Sequence, residues 1–361
     1  MKELLAGGVR FDCASGREIK DVCDILGSRQ IKCKEHIIFA NPHKVNRDIE
    51  YARDIGIQET VVDSEEEVRR IAESGWQPKL LVRLAVSDGR SRSPFSIKFG
   101  AEADTWGGIF REAEKVGLEI RGCSFHIGSG CEDAGQYARA IEVCRSFFIE
   151  AGRLPCNIIN TVDIGGGFQP GEKFIEASKI IRSCIAEWES GPYYFPRRWI
   201  AEPGRFFSAA SHCLYVPIVT RKKGLRGKGW RYIIDESIYG QFSCIPFDKA
   251  QPLWILLDKN GNRVKGEERG VSEGYIFGRT CDSIDLIGYS EKMCIMEEGD
   301  WLCFPNMGAY TTSSASEFNG FPKPNILWQD DGWIGSVGKI SENTKIDFPV
   351  QCQSSISLSV R

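Results

Sequence analysis

Two short stretches hold the residue types that could do chemistry. Asp163-Ile-Gly-Gly-Gly167 ends an apolar run in three glycines, and Trp199-Ile-Ala-Glu-Pro-Gly-Arg205 ends another in an acid and a base. Glycine has no side chain to block approach, so the backbone N–H groups of Gly165, Gly166 and Gly167 can meet a phosphate closely. Arg205 can add a charge-assisted contact. Glu202 stands at the end of the second run. Together these residues suit an anionic ligand that carries a ring nitrogen. A glycine triplet by itself is more often a plain turn, so its meaning depends on the elements that position it.

Those elements alternate. Apolar, strand-like runs lie at 9–14, 36–40, 60–63, 79–84, 120–126, 160–164 and 199–201, with helix-period segments at 17–26, 45–55, 65–73, 134–150 and 174–189. Short strands alternating with helices imply a parallel α/β sheet. Residues able to do chemistry recur just after the strands: Asp12, Ser15, Asn41, Asp63, Arg83, His126, Ser129, the glycine triplet, Glu202 and Arg205. In a β/α barrel all strand C-termini meet at one mouth, whereas a doubly wound sheet uses one crevice and fewer strand ends. The even spread favours the barrel. A barrel needs eight strands and seven are readable; the missing one is most simply the first.

After residue 206 the pattern changes to aromatic and β-branched runs at 213–220, 230–234, 253–257, 275–277 and 301–304, separated by turn signals. The expected organisation is a β/α barrel over 1–206, an all-β sandwich-like or barrel-like domain over 207–330, and a polar, loosely ordered tail over 331–361.

Composition sets bounds. The 361-residue chain carries a net charge of −3, which offers no electrostatic case for nucleic acid. No apolar run approaches the roughly 18–20 residues of a membrane span, and the acidic N-terminus does not read as a signal peptide. Fourteen cysteines without a CxxC pair, beside four histidines, argue against a metal site. They suit reduced thiols in a cytoplasmic protein.

Nine motifs then carry a resemblance. Phe11-Asp-Cys-Ala-Ser15, Ile38-Phe-Ala-Asn-Pro42, Ser124-Phe-His-Ile-Gly-Ser-Gly-Cys131, Asp163-Ile-Gly-Gly-Gly167 and Ala201-Glu-Pro-Gly-Arg205 lie in the first expected domain. Tyr239-Gly-Gln-Phe242, Thr280-Cys-Asp282, Asn306-Met-Gly-Ala-Tyr310 and Phe318-Asn-Gly-Phe321 lie in the second. In this order, over roughly 5–328, the chain resembles the ornithine decarboxylase family. The resemblance implies a β/α barrel carrying pyridoxal 5′-phosphate, a β domain, and a homodimer with shared active sites.

It also implies roles. Glu202 matches the acid that keeps the pyridine nitrogen protonated, so that the ring can accept electrons once carbon dioxide leaves. Gly165, Gly166, Gly167, Arg205, Ser129 and Tyr310 resemble the phosphate holders. His126 resembles the histidine stacked on the ring, and Asp12, Glu18 and Arg83 resemble supporting polar residues. Cys281 matches the catalytic cysteine that protonates the α-carbon. Asp282 and Asp248 match the acids that bind the substrate's distal amine, Tyr239 is a further substrate-binding residue, and Phe318 would line the face where the substrate carboxylate leaves. An aspartate at 248 favours L-ornithine, because the viral relatives that prefer arginine carry glutamate there. Cys281 and Asp282 would be donated by the partner subunit, and Lys98 would pair with Asp285 across the interface. Antizyme is a further partner of the family; its binding region would fall near 41–64, where nothing in the residues marks a partner surface.

The chain departs from the family in places. Ser283 follows Cys-Asp where glycine is usual, and Pro246 and Phe247 precede Asp248. The lysine motif of the first barrel strand, which binds the cofactor as a Schiff base, occurs nowhere; Lys2, Lys20 and Lys44 stand in other contexts. Two readings follow. One is an ornithine decarboxylase, forming putrescine for polyamine biosynthesis, whose chain is shortened at the front. The other is a non-catalytic, antizyme-inhibitor-like binding protein. A different decarboxylase of this cofactor class fits Asp248 and the motif details less well.

Overall fold

The structure, a computed structural model, describes residues 2–27, 35–153, 159–192, 195–330 and 333–335. The chain divides into two compact units, Met1–Gly204 and Arg205–Arg361.

The first unit holds seven strands in one sheet: β1 (Phe11–Cys13), β2 (Ile37–Phe39), β3 (Glu59–Val62), β4 (Lys79–Arg83), β5 (Glu119–Ser124), β6 (Thr161–Asp163) and β7 (Arg198–Ile200). Every neighbouring pair is parallel, and the spatial order follows the chain. Runs such as Ile37–Phe39 are buried on both faces, which is why they read as continuous apolar stretches. Helices α1 (Lys2–Ala6), α2 (Gly16–Leu26), α3 (Asn46–Ile55), α4 (Glu65–Glu73), α5 (Trp106–Val116), α6 (Gly135–Ala151) and α7 (Glu172–Glu189) are interleaved with these strands. Helix α5 is absent from the sequence expectation. Gly107 and Gly108 mask it, although Trp106, Ile109, Phe110 and Ala113 bury one helical face.

The sheet is curled. Arg198 of β7 forms a salt bridge with Glu59 of β3, with Nη2 2.8 Å from Oε2. Those strands stand four places apart, about 19 Å in a flat sheet at about 4.8 Å per strand. Two side chains bridge that span only if the sheet bends round on itself. Ile200 of β7 likewise packs on the cluster of Ile38, Val61 and Leu81. The expected barrel-type sheet is present, with seven strands among the described residues.

Register then gathers the strand ends. Arg83 pairs with Ser124, Ser124 with Asp163, and Asp163 with Ile200. The strand containing Asp163 therefore ends level with the strand that leads into Glu202. Behind it, the loop after β2 is pinned by buried Lys44, whose Nζ donates to the Val61 carbonyl at 2.8 Å and to Glu67 at 3.3 Å.

The second unit is a six-stranded mixed sheet. Its strands are β8 (Leu214–Lys223), β9 (Trp230–Ile234), β10 (Ile255–Leu257), β11 (Val271–Phe277), β12 (Leu286–Cys294) and β13 (Trp301–Phe304), in the order β10-β13-β8-β9-β11-β12. Only β9 and β11 pair in parallel. Strand β12 is a further departure from expectation, because its residues alternate between buried and open at an edge without a sustained apolar run. Tyr232, Ile234, Phe242, Leu302 and Phe304 are fully enclosed in this unit's core. The expected tail over 331–361 lies outside the described residues, apart from Trp333–Gly335, which pairs with Trp328–Asp330.

Candidate active site

The barrel unit collects acids at the strand ends. Asp163, the last residue of β6, is wholly buried. Its Oδ1 accepts the Gly165 N–H at 2.9 Å, and its Oδ2 has no partner of the usual donor types among the described residues. A protonated Glu202 supplies that donor: burial and then the Asp163 and Asp12 charges push Glu202 well above the ordinary carboxylate range, and it hydrogen-bonds to Asp163. Asp12 is raised from 3.8 to about 7 by desolvation and by the Asp163 and Glu18 charges, with Arg83 opposing. Water still reaches the Asp12 side chain, as it does any group lining a concave mouth. Four carboxyls, those of Glu202, Asp63, Asp12 and Asp163, thus act on the Arg83 guanidinium, which also lies over the Phe99 ring at 4.5 Å.

The glycine turn packs beside them. Gly165 and Gly167 have φ of 60° and 94°. A Cβ on Gly165 would stand 2.0 Å from the Phe125 carbonyl, and one on Gly166 would stand 2.6 Å from His126 Nε2. The expectation of three N–H groups facing an anion needs correction. Gly165 N is bound to Asp163 Oδ1, and only the N–H groups of Gly166 and Gly167 lack a partner among the described residues. The sequence shows the triplet but not that its first member is tied to the acid two residues before it.

His126 follows β5. Its Nδ1 accepts the Gly128 N–H at 3.0 Å, which leaves any ring proton on Nε2. Burial and then Arg83 hold it down to about 3, so the ring is neutral. Phe95 packs on it at 4.8 Å. Asp88, buried, holds that aromatic's segment by accepting from Phe95 N, Ser96 N at 2.9 Å and Ser96 Oγ at 2.6 Å. Asp163, Asp88 and Phe95 are absent from the expected site. Asp163 shows in the sequence only as the head of the glycine motif, Asp88 and Phe95 belong to no motif, and nothing in the order of residues pairs Phe95 with His126.

Other expected residues have structural partners. Glu18 closes a cap on α2: Ser15 Oγ accepts its N–H at 3.3 Å, and its Oε2 accepts Ala14 N at 2.7 Å. Ser129 is buried on a two-stranded ribbon opposite Ser93. Lys98 is exposed and lies over the Phe99 ring at 4.8 Å.

In the sheet unit the expected residues form two groups. In the first, Arg205 Nη2 is 2.7 Å from Asp248 Oδ2, and its guanidinium lies 4.7 Å from the Tyr310 ring centre. In the second, Tyr239 stacks on Phe318 at 4.2 Å and donates its hydroxyl to Asp282. That bond and the Ile284 N–H hold Asp282 below the usual carboxylate range. Cys281 is an exposed thiol whose backbone N–H meets Asn319 Oδ1 at 3.1 Å. Asp285, expected to reach Lys98 of a second chain, is 1% exposed and accepts from Ile238 N at 2.9 Å, Thr280 N at 3.1 Å and Thr280 Oγ1 at 2.6 Å. Within one chain it braces the loop that carries Cys281 and Asp282.

The family model described as "Pyridoxal-dependent decarboxylase, pyridoxal binding domain" matches residues 1–209. Ornithine decarboxylase of Mus musculus is 35% identical over 379 residues, covering 97% of this chain and 78% of that protein. The arginine decarboxylase of Paramecium bursaria Chlorella virus, solved with agmatine, superposes with a TM-score of 0.78 at 31% identity, covering 88% of this chain and 82% of that one. The lysine/ornithine decarboxylase of Vibrio vulnificus, solved with putrescine, gives 0.74 at 29% identity, covering 89% and 81%. Among the described residues no helix is long and apolar enough to cross a membrane. The chain belongs to the pyridoxal-dependent decarboxylases, the lyase family in which the ornithine decarboxylases stand.

Proposed function

We propose that the chain carries a pyridoxal 5′-phosphate site for decarboxylation of L-ornithine to putrescine. The observation that carries this reading is the group of Asp12, Asp163 and Glu202 around Arg83, beside a glycine turn that no Cβ could enter. These residues fit the cofactor. The N–H groups of Gly166 and Gly167 would hold an anion, as would Arg205 in the sheet unit. When bound, pyridoxal phosphate supplies the electron sink for the carbanion left as carbon dioxide departs.

The chain's own residues then have distinct tasks. Glu202 holds a proton at its carboxyl, with Asp163 behind it, where a ring nitrogen would need one. Neutral His126 presents a flat ring without competing charge. Asp282, kept charged by Tyr239, and Asp248 would bind the distal ammonium. Cys281 would return a proton from Sγ to the α-carbon. In the homodimer reading, Cys281, Asp282, Tyr239 and Phe318 serve the partner's site, in keeping with their grouping apart from Arg205 and Asp248.

Relatives named for ornithine, arginine and lysine make the substrate the point to test. Asp248 favours the shorter diamine. Calorimetry of the full chain should give 1,4-diaminobutane the tightest binding, ahead of 1,5-diaminopentane and agmatine. Agmatine binding best would overturn the ornithine reading.

One observation favours the second reading, a binding protein without turnover. Lys44 is the only buried lysine among the described residues, and its ammonium is engaged by Val61 and Glu67. Borohydride reduction of the 361-residue protein with the cofactor should leave no lysine-attached product by mass analysis, and ornithine should release no carbon dioxide. Sustained release would sink the second reading.

A further inference from the structure

The Arg205–Asp248 pair joins two residues to which the proposed function gives opposite ligands, one an anion and the other a cation. The pair is close, at 2.7 Å, and its side chains are only 14% and 6% exposed. The guanidinium is also fixed from a second direction by the Tyr310 ring at 4.7 Å. Asp248 closes a short helix, Cys244–Asp248, and Lys249 turns the chain away at a φ of 51°. Arg205 therefore has one edge on a carboxylate and a face on an aromatic ring. A guanidinium carries five N–H donors in a rigid plane, so an edge held on a carboxylate sets where the remaining donors point.

We infer that Asp248 is a positioning residue for Arg205 as well as an acceptor of the substrate's ammonium, so that cofactor phosphate and substrate amine bind with positive linkage through one shared ion pair. This rests on the proposed reading that Arg205 meets phosphate and Asp248 meets an amine. The sign follows from charge balance. A phosphate on Arg205 draws on its positive charge and leaves the Asp248 carboxylate less compensated, which favours an ammonium there. An ammonium beside Asp248 offsets the carboxylate's charge while the carboxylate still holds the guanidinium in place, so a phosphate on Arg205 meets more uncompensated positive charge. The effect is strong only because the pair is shielded from water, where Coulomb forces are weakly screened. Linkage is reciprocal, so each ligand must tighten the other by the same factor, within the roughly 5–150-fold range of ordinary site coupling.

The test is equilibrium binding to the full chain of pyridoxine 5′-phosphate, which has the ring and phosphate but no aldehyde to react with an amine. Its dissociation constant should fall at least about fivefold at saturating 1,4-diaminobutane, and the diamine's should fall by the same factor in the converse titration. Pyridoxine, lacking the phosphate, should show no linkage. In Asp248→Asn, with the diamine raised to a concentration that saturates this variant, the pyridoxine phosphate constant, whatever its starting value, should change less than twofold. Arg205→Lys, which keeps charge but loses the planar fork, should weaken phosphate binding and shrink the linkage. Independent constants in the unmodified chain, or full linkage retained in Asp248→Asn, would overturn this inference alone. Failure of the unmodified chain to bind pyridoxine phosphate would overturn the proposed function, and this inference with it. If Asp248→Asn does not fold, the contrast between pyridoxine and its phosphate decides: equal linkage for both refutes the inference.

Discussion

The acids of the two units differ in protonation although they are the same residue types. At the barrel mouth, Asp12, Asp163 and Glu202 crowd around one guanidinium, and all three are raised. On the sheet unit's loop, Asp282 accepts a tyrosine hydroxyl and a backbone N–H, and it is lowered. Desolvation with like charge favours the proton, whereas donors in an open setting favour the charge. The mouth is therefore suited to hold a proton and the loop to hold a cation. The discriminating feature is desolvation among like charges rather than the count of donors, because Asp163 accepts from Gly165 N and Glu202 and is still raised, whereas Asp282, also with two donors, is lowered.

The largest expected effect comes from disturbing the mouth's geometry. Gly165→Ala would place a Cβ 2.0 Å from the Phe125 carbonyl at a φ of 60°. Left-handed strain and overpacking together should cost about 2–4 kcal/mol, seen as a lower urea midpoint, and pyridoxine phosphate binding should be lost. A fully stable, binding-competent variant would mean that the turn is not held as described. Next in size is the loop's brace. Asp285→Asn keeps the shape but leaves fewer acceptor sites for the three donors on it, at a cost of about 1–3 kcal/mol. The alkylation rate of Cys281 should change with it, while the mouth's pH behaviour should not.

Much of the frame is legible in the sequence because most strands of the curled sheet, such as Ile37–Phe39 and Thr161–Asp163, are buried on both faces and so read as apolar runs. Helix α5 and strand β12 are not legible, for opposite reasons. Paired glycines dilute the first, and a half-open edge interrupts the second. The site divides along a similar line. Glu202, His126 and the glycine triplet announce themselves by type and neighbours. The partnership of Asp163 with Glu202 depends on the register that sets Asp163 against Ile200. The pairing of Arg205 with Asp248 spans 43 residues and has no local signal. Nor does composition show that Gly165 N belongs to Asp163, or that Asp285 is enclosed within its own unit.

The third expected effect is on pH dependence. Asp12 stands near 7 in the folded chain against an ordinary 3.8. Between those values the folded state binds the proton more tightly than the unfolded state, so stability falls as pH rises from about 4 to about 7 and is level above. Asp12→Asn should flatten part of that decline and gain most over the parent at pH 8. Urea midpoints from pH 4.5 to 8.5 measure it. Parallel profiles for variant and parent would show that Asp12 is not crowded by like charge. Glu202 and Asp163, raised in the same sense, contribute to the slope that remains.

The smallest expected effect lies on the loop and runs the other way. Tyr239→Phe removes the hydroxyl that is the first cause of the lowered Asp282. A lowered acid keeps its charge until pH drops below the ordinary carboxylate range, so diamine binding should persist well into acid in the parent. In the variant the loss should begin at higher pH, with binding at pH 8 within about threefold of the parent, because Asp282 is charged at that pH with or without the hydroxyl. Phe keeps the ring that stacks on Phe318 at 4.2 Å, so packing is held constant while the donor is removed. An unchanged acid limb would assign the charge of Asp282 to the Ile284 N–H alone. The contrast between mouth and loop would then rest on a backbone donor, which only a substitution to proline at Ile284 would delete.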